Sequence, residues 1–329
     1  MFAFLASSGC TLRLIIGACI RRYFPDTLWS TISDVLLTNI VGSSIAGYVK
    51  GAALARSIEE HISSSSASVS DVISTSSPRS SENSDSSTFR RSYRFIPSSL
   101  ILDYSYLLGL CGCCTTYGSM MSYALTLFIN PSYYNVSQNT PSTFESFSDA
   151  VFSLVASIVL SAGSFRFFLF AGRVAPIQLR LKYLFLVGGL SPLLIGAILI
   201  AVNGPVTLLG KSQIFSVLLS PLGAFLRAYL SQNLNSPTRF VKYTGTLSSN
   251  ILGTFISAAV QGYYFYNDES LGFNALSVGF AGSLSTVSTF VGEIEGEEEE
   301  GNSIGYTTIT VVLTVVTSLL GFLAGGWRA

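Results

Sequence analysis

Residues 109–120, GLCGCCTTYGSM, and residues 279–290, GFAGSLSTVSTF, decide the fold. Both runs lie in apolar sequence and combine paired glycines with a cluster of hydroxyl side chains. Such a pattern permits a break in a membrane helix, whose freed carbonyl groups must be met by protein, water or an ion. Close packing of helices through small residues is the alternative, and the spacing alone leaves both open. We expect a broken helix in each half of the chain.

Two further patterns precede these runs in the same order in each half. A glycine stands four residues before an arginine in the first helix, and the second helix carries an asparagine motif. Repetition in a fixed order indicates an internal duplication. We therefore expect two four-helix domains, at 1–172 and 212–329. The matched residues are Gly9 and Arg13 with Gly223 and Arg227, and residues 38–43 (TNIVGS) with residues 249–254 (SNILGT).

The composition argues against a soluble fold. Charged residues make up 11% of the 329 residues, against about 25% in a soluble domain, and the mean hydropathy is +0.53. The net charge is zero, so no long-range positive field attracts nucleic acid. Apolar stretches of about 20 residues, enough to cross a bilayer, recur along the chain. We expect an all-α membrane protein with nine transmembrane helices, near 2–20, 33–55, 99–128, 148–171, 183–203, 212–231, 244–265, 273–291 and 303–326.

The helix at 183–203 sets the topology. Four helices return the chain to its starting side of the membrane, so one linker helix delivers the second domain upside down. Inverted repeats of this kind place a shared site near the middle of the bilayer, which makes transport the leading function. The distribution of Lys and Arg among the loops predicts that the N-terminus lies outside the cell.

The loops carry three features of their own. Residues 57–98 are rich in serine and have little apolar periodicity, which predicts a disordered, solvated loop. Asn135 begins a glycosylation acceptor pattern, which short sequences often match by chance. The glutamates between Glu293 and Glu300 predict a solvated acidic loop rather than a calcium site. No set of nucleophile, acid and base is visible, so we expect no enzymatic activity.

Polar residues at membrane depth are expensive, which singles out Asn39 and Asn250. Hydrogen bonding to a neighbouring helix is the structural explanation, but the matching repeat positions favour a functional one. Tyr306, Thr310 and Thr314 recur every four residues and share one helix face. They form either a hydroxyl track for an anion or hydroxyls bonded back to their own helix.

With these motifs the chain resembles the fluoride channels called Fluc or CrcB in bacteria and FEX in fungi and plants. The resemblance covers both repeats and implies a passive, selective fluoride channel that exports fluoride across the plasma membrane and gives fluoride resistance. It also implies a lipid-embedded monomer that acts as a pseudo-dimer, with Arg13 and Arg227 as anchors near the aqueous ends. The implied structural sodium ion would be held by the carbonyl groups of Gly112, Thr115, Gly282 and Ser285.

Two positions depart from the family's pattern of paired phenylalanines on the third helix. They read Tyr117 and Met120 in the first half and Val287 and Phe290 in the second. If each pore takes one ring from each half, one pore has two aromatic residues and the other, with Met120 and Val287, has none. We expect a single working pore. The resemblance assigns to it Asn39, Tyr117, Asn250, Phe290, Tyr306, Thr310 and Thr314.

A passive channel suffices for export. Hydrogen fluoride enters as a neutral acid and dissociates, and an inside-negative potential then expels the anion with about 2.3 kcal/mol per charge per 100 mV. A coupled secondary transporter of another small anion or solute also fits inverted repeats. A membrane scaffold without transport fits least.

Overall fold

All regular structure in the described residues is helical. The structure is a computed structural model that describes residues 2–23, 28–74, 106–129, 143–176, 211–236, 242–264, 271–296 and 300–326. Within these ranges no strand occurs. In chain order the described helices are α1 (Phe2–Tyr23), α2 (Leu28–Ser74), α3 (π-helical Tyr106–Cys111 continued by Gly112–Cys114), α4 (Tyr117–Ile129), α5 (Thr143–Val174), α6 (Lys211–Leu234), α7 (Thr244–Tyr264), α8 (Leu271–Asn274, π-helical Ala275–Ala281, then Gly282–Leu284), α9 (Val287–Ile294) and α10 (Glu300–Ala324).

The chain is a multi-pass helical membrane protein. Its helices expose large apolar side chains along their length, for example Phe152, Phe167 and Leu320, a pattern suited to lipid rather than water. Among the described residues, five helical stretches are long and apolar enough to cross a membrane. They are Phe2–Ile20, Phe147–Val174, Ser212–Leu234, Gly272–Ile294 and Asn302–Ala324. Helices α2 and α7 lie at two further predicted spans.

Helix α2 is longer than the sequence predicts. It continues to Ser74, so the first part of the serine-rich stretch is helical where we expected a loop from residue 57. The stretch from Ala52 to Glu60 supplies Ala, Leu, Arg and Glu, which are good helix formers, and the helix extends from the apolar span before it. Residues 75–98, the Asn135 loop and the linker at 183–203 lie outside the described residues.

Glycines allow α1 and α6 to approach the third helix of their own halves. A Cβ atom on Gly9 would lie 2.2 Å from the carbonyl oxygen of Leu110, and one on Gly223 would lie 2.2 Å from that of Phe280. Real Cβ contacts are never so short, so both positions require glycine for the observed packing. The same contact in both halves supports the repeat read from the sequence.

Candidate functional site

The third helix of each half is interrupted at the predicted place. α3 ends at Cys114 and α4 begins at Tyr117, while α8 ends at Leu284 and α9 begins at Val287. At the two junctions Thr115 has φ −85° and ψ 151°, and Ser285 has φ −89° and ψ 147°. These are extended values, so the helical hydrogen-bond ladder stops there in both halves.

Two buried asparagines supply hydrogen bonds that the breaks remove. The Oδ1 atom of Asn39 accepts from the Thr116 amide at 2.9 Å, and that of Asn250 accepts from the Thr286 amide at 2.8 Å. Both side chains are fully buried. A buried backbone amide needs a partner, so each asparagine stabilises the break in its own half.

Hydroxyl groups tie the two breaks to each other. The Oγ atom of Ser285 accepts from the Gly118 amide at 2.9 Å, and the Oγ1 atom of Thr115 accepts from the Ser288 amide at 3.2 Å. Each hydroxyl therefore caps the start of the continuing helix in the opposite half. Thr115 and Thr286 also lie 3.1 Å apart through their hydroxyl oxygens. The two broken helices thus meet by reciprocal contacts.

Two arginines cross between the halves at the same level. Arg227 donates to the carbonyl groups of Gly112, at 2.8 Å, and Leu108, while Arg13 donates to those of Gly282, at 3.0 Å, and Val278. Arg227 is 0% exposed and Arg13 is 6% exposed. Both arginines are buried within the protein, and their expected place near the aqueous ends stays a prediction. They use their several donors to satisfy carbonyl groups near the opposite break.

The predicted sodium ligands fit the ion only in part. The carbonyl oxygens of Gly112 and Gly282 already accept hydrogen bonds from guanidinium cations. A second cation on these oxygens would be repelled by those charges. Thr115 and Ser285, by contrast, have the extended backbone that turns a carbonyl group away from the helix ladder.

Aromatic rings from both halves line up beside this crossing. The rings of Tyr117 and Phe290 lie 5.4 Å apart between centroids, at 77° to each other, in an edge-to-face arrangement. Phe290 lies 5.5 Å from Tyr306. The Thr314 hydroxyl is 3.4 Å from that of Tyr117. We call the set Tyr117, Phe290, Tyr306 and Thr314 the aromatic pathway.

The hydroxyl groups on α10 bond mainly to their own helix. Thr310 donates to the Tyr306 carbonyl at 2.8 Å, and Thr314 donates to the Thr310 carbonyl at 2.7 Å. Both side chains are fully buried. In this arrangement their protons are used within α10, so an anion would have to draw them away from those carbonyl groups.

Glu293 is a residue of this site that the sequence analysis missed. Its Oε2 atom accepts from the Tyr306 hydroxyl at 2.8 Å, and its Oε1 atom accepts from the Thr246 hydroxyl at 2.5 Å. Placing Glu293 in a solvated acidic loop is therefore wrong, since the residue is partly buried at one end of the aromatic pathway. Glu293 stands three residues after Phe290, so both lie on one helix face. This spacing in the sequence could have indicated that Glu293 belongs to the site.

A second set of residues, around Met120 and Val287, occupies the position that the repeat relates to the aromatic pathway. Asn39 donates to the Ser157 hydroxyl at 3.1 Å and lies 4.0 Å from the Met120 sulfur. Asn39 thus lies with Met120, a residue of the pore without aromatic rings, while its bond to Thr116 matches the bond of Asn250 to Thr286. Met120 and Val287 are buried in the same core as Tyr117 and Phe290.

Close helix contacts align the residues of the two fourth helices, α5 and α10, which the sequence did not align. Gly51 and Gly262 are equivalent in the repeat, and their Cβ positions would lie 2.1 Å from the Leu169 carbonyl and 2.5 Å from the Phe322 carbonyl. Leu169 therefore corresponds to Phe322. Counting back along α5 and α10, Ser153, Ser157 and Ser161 correspond to Tyr306, Thr310 and Thr314. We call Met120, Val287, Ser153 and Ser161, the counterparts of Phe290, Tyr117, Tyr306 and Thr314, the reduced pathway.

The second half of the chain matches a known family. Residues 214–326 match the model described as CrcB-like protein, Camphor Resistance (CrcB). The second half is therefore similar to CrcB-like proteins. The matched range contains Phe290, Tyr306 and Thr314, which are three of the four residues of the aromatic pathway.

A curated protein that is similar to part of this chain carries a name that describes fluoride export. Fluoride export protein 1 of Candida albicans is 38% identical over 98 residues, which is 26% of this chain and 25% of that protein. The match thus spans a quarter of the relative's length. No solved structure matches the chain. The relative's name describes export rather than catalysis, in agreement with the expectation that this chain is not an enzyme.

Proposed function

We propose that this protein is a passive fluoride channel that exports fluoride from the cytoplasm through one working pathway. The observation that carries the proposal is the edge-to-face contact between Tyr117 of one half and Phe290 of the other, continued by Tyr306. The similarity of the chain to a fluoride export protein supplies the identity of the anion.

The chemistry of the pathway suits a small anion. Aromatic rings carry a positive edge, so rings turned edge-on replace part of the water that fluoride loses. The Tyr306 and Thr314 hydroxyls can donate to the anion once they release Glu293 and the Thr310 carbonyl, and the Tyr117 hydroxyl, which accepts from Thr314, lies beside them. Selectivity then rests on donors and ring edges matched to a small ion.

The two halves act as an inverted pair in this proposal. Arg13 and Arg227 make equivalent bonds to opposite halves, as do Thr115 and Ser285, and such reciprocity is expected of two domains related by a twofold axis. A linker helix at 183–203 would make that axis lie in the membrane plane. Nine transmembrane helices, a monomer and a plasma-membrane location belong to the same proposal.

The reduced pathway is proposed not to conduct. It offers Met120 and Val287 where the aromatic pathway has Phe290 and Tyr117, and Ser153 where it has Tyr306. Thioether and aliphatic side chains provide neither a positive ring edge nor a proton donor. The rings of Phe290 and Tyr117 have no counterpart there, so the serine hydroxyls would replace only part of the water that a fluoride ion loses.

We also propose a structural sodium ion, held by the carbonyl groups of Thr115 and Ser285. The extended backbone at both residues supports it, whereas the arginine bonds to Gly112 and Gly282 leave those two residues out of the proposed set. The ion would stabilise the crossing and take no part in conduction.

Fluoride efflux from liposomes that contain the purified protein tests the function. With valinomycin setting the voltage, we expect rapid fluoride efflux and negligible chloride efflux. Loss of fluoride flux without a proton gradient would instead indicate a coupled transporter, for which the partly buried Glu293 would be the natural proton carrier.

A further inference from the structure

A cavity of about 200 Å³ opens between the two halves beside the aromatic pathway. Helices α2 and α5 of the first half form one wall, and α9 of the second half forms the other. Its lining includes Lys50, Phe165, Ser288, Thr289 and Glu293. Two side chains of opposite charge therefore share one small space where Glu293 meets Tyr306.

Lys50 reaches this cavity across the interface between the halves. Its Nζ atom donates to the Gly292 carbonyl at 3.1 Å and lies 5.7 Å from the centre of the Phe165 ring. Gly292 directly precedes Glu293 in α9. The lysine is thus held beside the backbone that carries the carboxylate, with an aromatic face stabilising its charge.

The charge of the cavity lining decides whether an anion can use it. Lys50 and Glu293 are the charged residues among those that line it, and their charges cancel. Without Lys50 the lining would carry one negative charge, at a place where protein and lipid screen it less than water does. A fluoride ion would then meet a repulsive barrier at that end of the aromatic pathway.

We infer that Lys50 is the counter-charge that keeps the Glu293 end of the pathway open to anions, and that the cavity is the anion's vestibule. This inference rests on the proposed fluoride channel. It assigns a role in permeation to Lys50. Lys50 belongs to the first half, whereas Glu293, the other charged residue of the cavity, belongs to the second. Ser288 and Thr289 supply hydroxyl donors on the cavity wall.

Chemical modification separates charge from packing. Lys50→Cys, in a Cys19→Ser background because Cys19 is the exposed native cysteine, allows one folded protein to receive either charge. We expect the unmodified variant to lose about tenfold in fluoride efflux at low ionic strength. A cationic methanethiosulfonate reagent restores the flux, and an anionic reagent of similar size lowers it further. An equal response to both reagents, or wild-type flux before modification, would overturn the inference.

A second comparison uses the carboxylate. Adding Glu293→Gln to Lys50→Met removes the uncompensated charge and recovers part of the lost flux, whereas a merely structural lysine predicts no recovery. Arg166→Gln is the matched control, since Arg166 is an exposed cation that pairs with Glu295 at 3.4 Å outside the cavity. We expect wild-type flux from it. Absence of fluoride flux from the wild-type protein would reject the channel itself, so the two failures are distinguishable.

Discussion

The aromatic pathway and the reduced pathway are built on the same backbone and differ in side chains alone. Both halves break the third helix at matching residues, and both close the break with an asparagine. Only the aromatic pathway adds rings and a carboxylate, at Phe290, Tyr306 and Glu293. In the proposed channel, the duplicated scaffold therefore provides stability on both sides, while the residues proposed to handle an anion are concentrated on one.

The largest effect is expected from the paired substitutions Phe290→Ile and Met120→Ile. Phe290→Ile removes the ring that contacts both Tyr117 and Tyr306, and we expect about a hundredfold loss of fluoride efflux, or about 2.7 kcal/mol of barrier. Met120→Ile changes a buried residue of the reduced pathway and should leave efflux near wild type. Equal losses from the two variants would contradict the distinction between the pathways.

The next prediction concerns the crossing that both pathways share. A Cβ atom on Gly112 would lie 2.2 Å from an Nη atom of Arg227, so Gly112→Ala should lower the free energy of unfolding by about 2 kcal/mol. Gly163→Ala is the control, because nothing lies within 4 Å of its Cβ position. Thermal unfolding in detergent measures both. If Gly112→Ala is as stable as the control, Arg227 does not occupy the observed position.

Substitution of the two asparagines tests the stability of the protein and the conduction of fluoride separately. Asn39→Ala and Asn250→Ala each leave a buried backbone amide without its acceptor, so both should cost about 1–3 kcal/mol of stability. By the repeat, the contacts of Asn39 with Met120 and Ser157 correspond to positions of Asn250 beside Phe290 and Thr310, so fluoride efflux per folded molecule should fall more for Asn250→Ala. A larger loss of efflux from Asn39→Ala would assign that residue to the working pathway.

The smallest effect is expected from sodium. Replacing sodium by choline should lower the unfolding midpoint by a few degrees, since a bound ion stabilises the folded state alone. The shift should be equal in wild type and in Met120→Ile, because the crossing serves both pathways. An unchanged unfolding midpoint would contradict the proposed structural sodium ion.

The sequence predicted the features that repeat and missed those that one half alone carries. Paired glycines next to hydroxyl residues marked both breaks, because such residues permit an interruption whose freed backbone groups other parts of the protein can satisfy. Asn39 and Asn250 were found because polar residues at membrane depth are costly and these two stand at matching repeat positions. Glu293 was missed because its neighbours Glu295 and Glu297–Glu300 made it look like part of a solvated run.

Two further features depend on contacts that the sequence does not show. The guanidinium groups of Arg13 and Arg227 are costly to bury, and hydrogen bonds to carbonyl groups near the opposite helix break offset that cost. Ser153 was invisible as the counterpart of Tyr306, since their side chains share no chemistry beyond a hydroxyl. Only the contacts of Gly51 and Gly262 with the fourth helices align them.

The reversal potential of the fluoride current tests the central claim most directly. In a bilayer that holds the purified protein, a passive fluoride channel predicts a reversal potential that changes by about 59 mV for each tenfold change in the fluoride ratio. It also predicts no change when a pH gradient or a chloride gradient is imposed. A reversal potential that moves with the pH gradient would contradict a passive channel and would indicate coupling to protons.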